Sequence, residues 1–214
     1  MVRSPLRAAL VLVALAWPTA PLQAEAPHTD PPADILPASA LDAPSPELLA
    51  RLEKEHVIPD PSRDDRATCA LVLFEQPREE VMELLTSTTR QKEYRPELAR
   101  VEVVDVSDHA NVTEYKLRFM LTSLSYRVRE AWDPASGRVW WSLDPTFDNE
   151  LRVLDGLWEL RALDDRRTLG RFSTRIDLGP ALPAFLQDYA TRKKLPESME
   201  QVRHWVDSGG KWRP

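Results

Sequence analysis

A single cysteine, six glycines and four histidines in 214 residues remove several function classes at once. Cys69 has no second thiol in the chain, so no internal disulfide forms and stability must come from a packed core. The glycines build no G-x-G-x-x-G or Walker loop, so nucleotide binding is not expected. His28, His56, His109 and His204 are scattered, with no two at ligand spacing, and no metal or other cofactor is expected. The longest apolar run, from Ala8 to Trp17, ends at Pro18 and is far short of the roughly 20 residues that span a bilayer. A net charge of −6 makes nucleic acid and anionic membrane surfaces poor partners.

What the N-terminal stretch does have is order. Arg3 and Arg7 precede the apolar run, and small residues with prolines follow it to Ala24. That is the arrangement of a secretory leader, with cleavage expected after Ala24, Ala26 being the other candidate. Periplasmic or extracellular localisation follows as an expectation. Loss of the two arginines would take the net charge from −6 to −8.

Residues 25–66 read as a proline-rich tether carrying one short helix near 46–56, with Ser45 as its N-cap and Pro46 at its first position. Leu48, Leu49 and Leu52 give that helix an apolar stripe that either docks on the domain or stays solvated. One domain is expected from 67 to 208, followed by a tail at 209–214. It begins with the strand "ATCALVLFE", then a helix after Pro77 with Val81, Leu84 and Leu85 on one face, then a short helical piece near 88–94. "ARVEVVDV" and five further strand segments follow, alternating apolar and polar, with "DDRR" at 164–167 as a hairpin turn. The last helical stretch carries Leu182, Phe185, Leu186 and Tyr189, then Leu195, Met199, Val202 and Val206, with Pro196 between. "DSGG" at 207–210 resembles a serine-protease nucleophile loop, but its place after a helix fits a helix stop with Gly209 and Gly210 as the left-handed cap.

Three local signatures occur in a fixed order: Pro77, Glu80, Val81, Leu84 and Leu85 leading to Pro96, Val101 and Val103; then Gly156, Trp158 and Leu160; then Pro183, Phe185, Arg192, Leu195, Pro196, Met199 and Arg203. Over residues 67–207 the chain resembles the START-related superfamily, also called the polyketide cyclase/dehydrase or SRPBCC superfamily. The resemblance implies an α+β helix-grip (START/Bet v 1-like) fold, a curved antiparallel sheet wrapped around a long C-terminal helix. It also implies that the two short helices wall the mouth of an internal cavity.

By alternation, Tyr115 and Phe119 share one face of their strand, Tyr126, Glu130 and Trp132 one face of the next, and Phe172 the apolar face of the last. With the sheet curled around the last helix, as the resemblance implies, these and Trp158 point into one interior, with Met199 and Val202 facing them. Glu130 is the outlier, because a desolvated carboxylate needs a partner. It is either a polar anchor or acid/base group in the cavity, or a rim carboxylate, or one paired with an arginine such as Arg152 after a bulge shifts the register. The function implied by the resemblance is a non-enzymatic carrier of a hydrophobic small molecule, lipid-, sterol- or quinone-like, with room for transient membrane contact. Two rivals stay open: a cyclase or hydratase using Glu130 and a tyrosine, and a protein-interaction module with a filled interior. The sequence leaves the ligand and the oligomeric state open.

Overall fold

The computed structural model describes residues 41–60, 67–119, 122–179 and 195–214. The expected leader, the first part of the tether and the start of the last helix, including Leu182, Pro183, Phe185, Leu186, Tyr189 and Arg192, lie outside the described residues.

Helix α1 (Pro46–Glu55) begins as its sequence dictates: the Leu48 amide donates to the Ser45 hydroxyl at 3.2 Å, with Pro46 in the first turn. It is docked, not solvated, since Leu52 is fully buried. Strand β1 (Val57–Pro59), which alternation did not reveal because it is so short, pairs with β2 (Thr68–Phe74). The folded unit therefore takes in residues ahead of 67, and even Leu41 is buried against the same cluster.

Helix α2 (Arg78–Thr86) buries Val81, Met82 and Leu85, and a short 3-10 turn (Thr88–Glu93) follows. Six strands form the meander: β3 (Leu98–Ser107), β4 (Ala110–Phe119), β5 (Thr122–Asp133), β6 (Arg138–Leu143), β7 (Val153–Ala162) and β8 (Thr168–Asp177). The sheet order is β1-β2-β8-β7-β6-β5-β4-β3, antiparallel throughout. Helix α3 (Leu195–Asp207) packs on one face of this sheet through Met199, Val202, Trp205 and Val206. This is the helix-grip fold.

Burial explains the strand patterns. β2 is apolar almost without a break because both of its faces are covered. Ala70, Val72 and Phe74 enter the core beneath α3, while Leu71 and Leu73 lie in the cluster with Leu52 of α1. Elsewhere the outer face is charged and ion-paired, with Arg129 on Asp144 at 2.9 Å, Arg138 on Glu159 at 3.3 Å and Arg175 on Asp155 at 2.6 Å. Polar residues that alternate outward thus leave Tyr115, Tyr126, Trp141, Trp158 and Phe172 on the inner face, whereas Trp140 lies on the other face with Ala110, Ala131 and Leu157.

Helix α3 stops as expected. Gly209 and Gly210 have φ of 64° and 75°, and their amides return to Val206 and Trp205 carbonyls at 2.8 Å each. The Ser208 hydroxyl accepts from the Lys211 and Trp212 amides, a structural role far from nucleophilic chemistry.

Candidate functional site: an internal cavity

Between the sheet and α3 lies a cavity of about 460 Å³. Its apolar wall is built from alternate residues of adjacent strands, because cross-strand pairs share a face. Tyr115 of β4 sits opposite Tyr126 of β5, their rings stacked at 5.2 Å. Phe172 of β8 lies 4.9 Å from Trp158 and 5.7 Å from Trp141. Met199 and Val202 close the wall from α3.

Of the residues expected inside, Tyr115, Tyr126, Glu130, Trp158, Phe172, Met199 and Val202 line this cavity. Phe119 ends β4, and its side chain lies outside the described part. Trp132 is the correction: it shares a face with Glu130 but sits near the end of β5. There it packs beside the core cluster and meets His109 edge-on at 6.3 Å, so it does not line the cavity.

Trp141 lies in the wall because of what is missing across from it. It pairs with Gly156, and a Cβ on that glycine would stand 1.9 Å from Trp141 Cζ2. The indole therefore lies flat over the β7 backbone, a close approach that only glycine allows. This gives the Gly156, Trp158, Leu160 signature a physical reason.

The 3-10 turn that follows α2 is pinned to the end of α3. Arg90 pairs with Glu93 at 3.1 Å, lies 5.0 Å over the Trp205 ring and donates to the Gly210 carbonyl at 2.9 Å. Trp205 Nε1 donates to Glu93 at 3.2 Å, and the Tyr94 ring packs 4.6 Å from Trp205. This anchoring fixes two groups at the cavity: Tyr94, which lines it, and Thr88, which reaches Glu130.

Glu130 is buried, 7% exposed, and has no arginine partner among the described residues; Arg152 pairs instead with Asp177 on the surface. Its Oε1 accepts from the Thr88 hydroxyl at 2.9 Å and from Asn111 Nδ2 at 3.2 Å. Asn111 is held in turn, its Oδ1 accepting from the Thr113 hydroxyl at 2.9 Å. Burial raises the Glu130 carboxyl from its ordinary 4.5 to about 7, because desolvation outweighs those two hydrogen bonds. Burial likewise pushes the Tyr94 hydroxyl up to about 12 and that of Tyr115 well above its usual range, the charge of Glu130 adding to both.

The other charged groups of the lining are open to solvent. Arg95, Glu97, Arg118 and Glu197 are all partly or fully exposed and mark the mouth. Sequence reasoning missed Thr88, Asn111, Tyr94 and Arg95. The 3-10 turn has no amphipathic period to read, and the place of Asn111 beside Glu130 depends on the β4–β5 register.

No family model and no curated protein sequence matches the chain. Solved structures do match in fold. A protein from Thermus thermophilus superposes with a TM-score of 0.57 at 17% identity, covering 67% of this chain and 96% of that one. The Zhui aromatase/cyclase from a Streptomyces species gives 0.56 at 17% identity, covering 66% and 93%. Human STARD10 gives 0.56 at 13% identity, covering 79% and 82%. What these superpositions share with the chain is a fold, the helix-grip fold that the resemblance implied.

Proposed function

We propose that this protein is an exported carrier that holds a hydrophobic small molecule, lipid-, sterol- or quinone-like, in the cavity between the sheet and α3. The observation that carries this reading is the cavity itself. About 460 Å³ of space walled by Tyr, Trp, Phe, Leu, Val and Met falls within the usual range for ligand pockets of roughly 300–1,000 Å³. An apolar ligand would gain about 25 cal/mol for each Å² it buries there. A module with a filled interior would have no such space. Export is supported by the leader-like order of residues 1–24.

Native mass spectrometry of protein from its own periplasm should show a mass above that of the chain, lost on extraction with organic solvent. N-terminal sequencing should begin at Glu25. An apo mass together with failure to bind any hydrophobic probe would overturn carriage, and a chain beginning at Met1 would overturn export.

Glu130 favours one second reading, an enzyme of the cyclase or hydratase kind. A carboxyl whose burial pushes it up to about 7, beside tyrosine hydroxyls in a largely apolar cavity, suits general acid–base work. An extracted ligand returned chemically unchanged after incubation supports the carrier; conversion abolished by Glu130→Gln supports the enzyme.

A further inference from the structure

Resting on the carrier reading, we infer that Glu130 is a one-point polar anchor, taking the terminal carbonyl or hydroxyl oxygen of an otherwise apolar ligand. Hydrogen-bond polarity is the ground for it. Thr113 orients Asn111, Asn111 donates to both Thr88 and Glu130, and Thr88 donates to Glu130, so the donors converge on a single oxygen. With Oε1 accepting two bonds, the proton of the neutral acid belongs on Oε2. Oε2 accepts no hydrogen bond among the described residues, and Glu130 lines the cavity. Tyr94, Tyr115 and Tyr126 line the same space.

A buried acid with one oxygen saturated and the other open is costly unless something completes it. The surroundings say what. From the 3-10 turn and β4, Tyr94 and Tyr115 face Glu130 closely enough to feel its charge. From β5 and β6 the neighbours are Val128 and Trp141, which carry no charge. Arg95, at the cavity mouth, is the cation that acts on all three tyrosines, and it is paired with Glu97 at 3.1 Å. A further cation is disfavoured beside that field, and burial keeps the carboxyl neutral below about pH 7. A neutral oxygen function meets both conditions.

The test uses matched probes: dodecane, 1-dodecanol, 2-tridecanone and dodecylamine, each displacing N-phenyl-1-naphthylamine from the full chain between pH 5 and 9. At pH 5.5 the ketone and the alcohol should bind roughly tenfold more tightly than dodecane. The ketone can only accept, so its advantage should fade above about pH 7 as Glu130 ionises, while the alcohol keeps its own by donating. Glu130→Leu should erase both advantages and leave dye and dodecane binding intact. Equal affinity for dodecane and the two oxygen-bearing probes in the wild type would overturn the anchor while leaving carriage standing. Tightest binding by dodecylamine would overturn it in favour of a cation site. Failure of the dye and every probe to bind would instead overturn carriage. Should Glu130→Leu not fold, the wild-type ketone profile decides, since a flat profile contradicts the anchor.

Discussion

Replacing Gly156 by Ala tests the wall of the cavity at its tightest point. The new Cβ would lie 1.9 Å from Cζ2, 2.3 Å from Cε2 and 2.7 Å from Cη2 of Trp141. Carbon atoms pack at about 3.5–4.0 Å, so the indole must withdraw by roughly 1.5 Å or more. It cannot withdraw through the sheet, so it moves into the cavity. Overpacking of this kind costs typically about 1–3 kcal/mol, while alanine regains up to about 1 kcal/mol of strand preference over glycine. The expected net loss is about 1–2 kcal/mol, with weaker displacement of the naphthylamine dye. In a Trp141→Leu background the same change should be neutral or stabilising, since the clashing atoms are gone. The assay is urea denaturation of all four proteins, read as a double-mutant cycle with a coupling of at least about 1 kcal/mol. A Gly156→Ala protein as stable as wild type, with no coupling to position 141, would refute the claim that the indole lies over the β7 backbone.

Glu130 also predicts a pH dependence. Its carboxyl holds a proton more tightly when folded, so the stability this contributes is fully present below about 4.5 and gone above about 7. At roughly 1.4 kcal/mol per pH unit that is on the order of 3 kcal/mol, and the difference between wild type and Glu130→Gln in denaturation from about pH 4.5 to 8 should show it; parallel profiles would contradict the burial. Leu52→Ala should cost about 2–3 kcal/mol and raise amide exchange in α1 and β1, because that side chain is fully buried against the sheet; an unchanged transition would mean α1 contributes no docking energy. Thr88→Val removes one of the two donors to Oε1 and should raise the Glu130 carboxyl further, measurable as an upward shift in its titration by carboxyl-carbon NMR; no shift would disconnect the 3-10 turn from the site.

Alternation alone assigned most of the wall. Tyr115, Tyr126 and Phe172 could be placed on one face from the two-residue period of their strands, and Met199 and Val202 from the helical period of α3. The same period put Trp132 inside, and it failed there because a period says which face a residue takes but not how far along the strand the cavity extends. Local chemistry likewise sufficed for the caps: Ser45 and Pro46 start α1, and Gly209 with Gly210 stop α3, through bonds that span only a few residues. Glu130 shows the limit. Its inward direction followed from β5, but its partners come from a 3-10 turn 42 residues away and from the β4 register. Burial also needed the third dimension: β2 reads as an unbroken apolar run because α1 covers one face and α3 the other, contacts between residues far apart in sequence. Short-range order is written in spacing, whereas cavity depth, the choice of hydrogen-bond partners and a shifted carboxyl depend on which distant segments meet, and only the tertiary structure decides that.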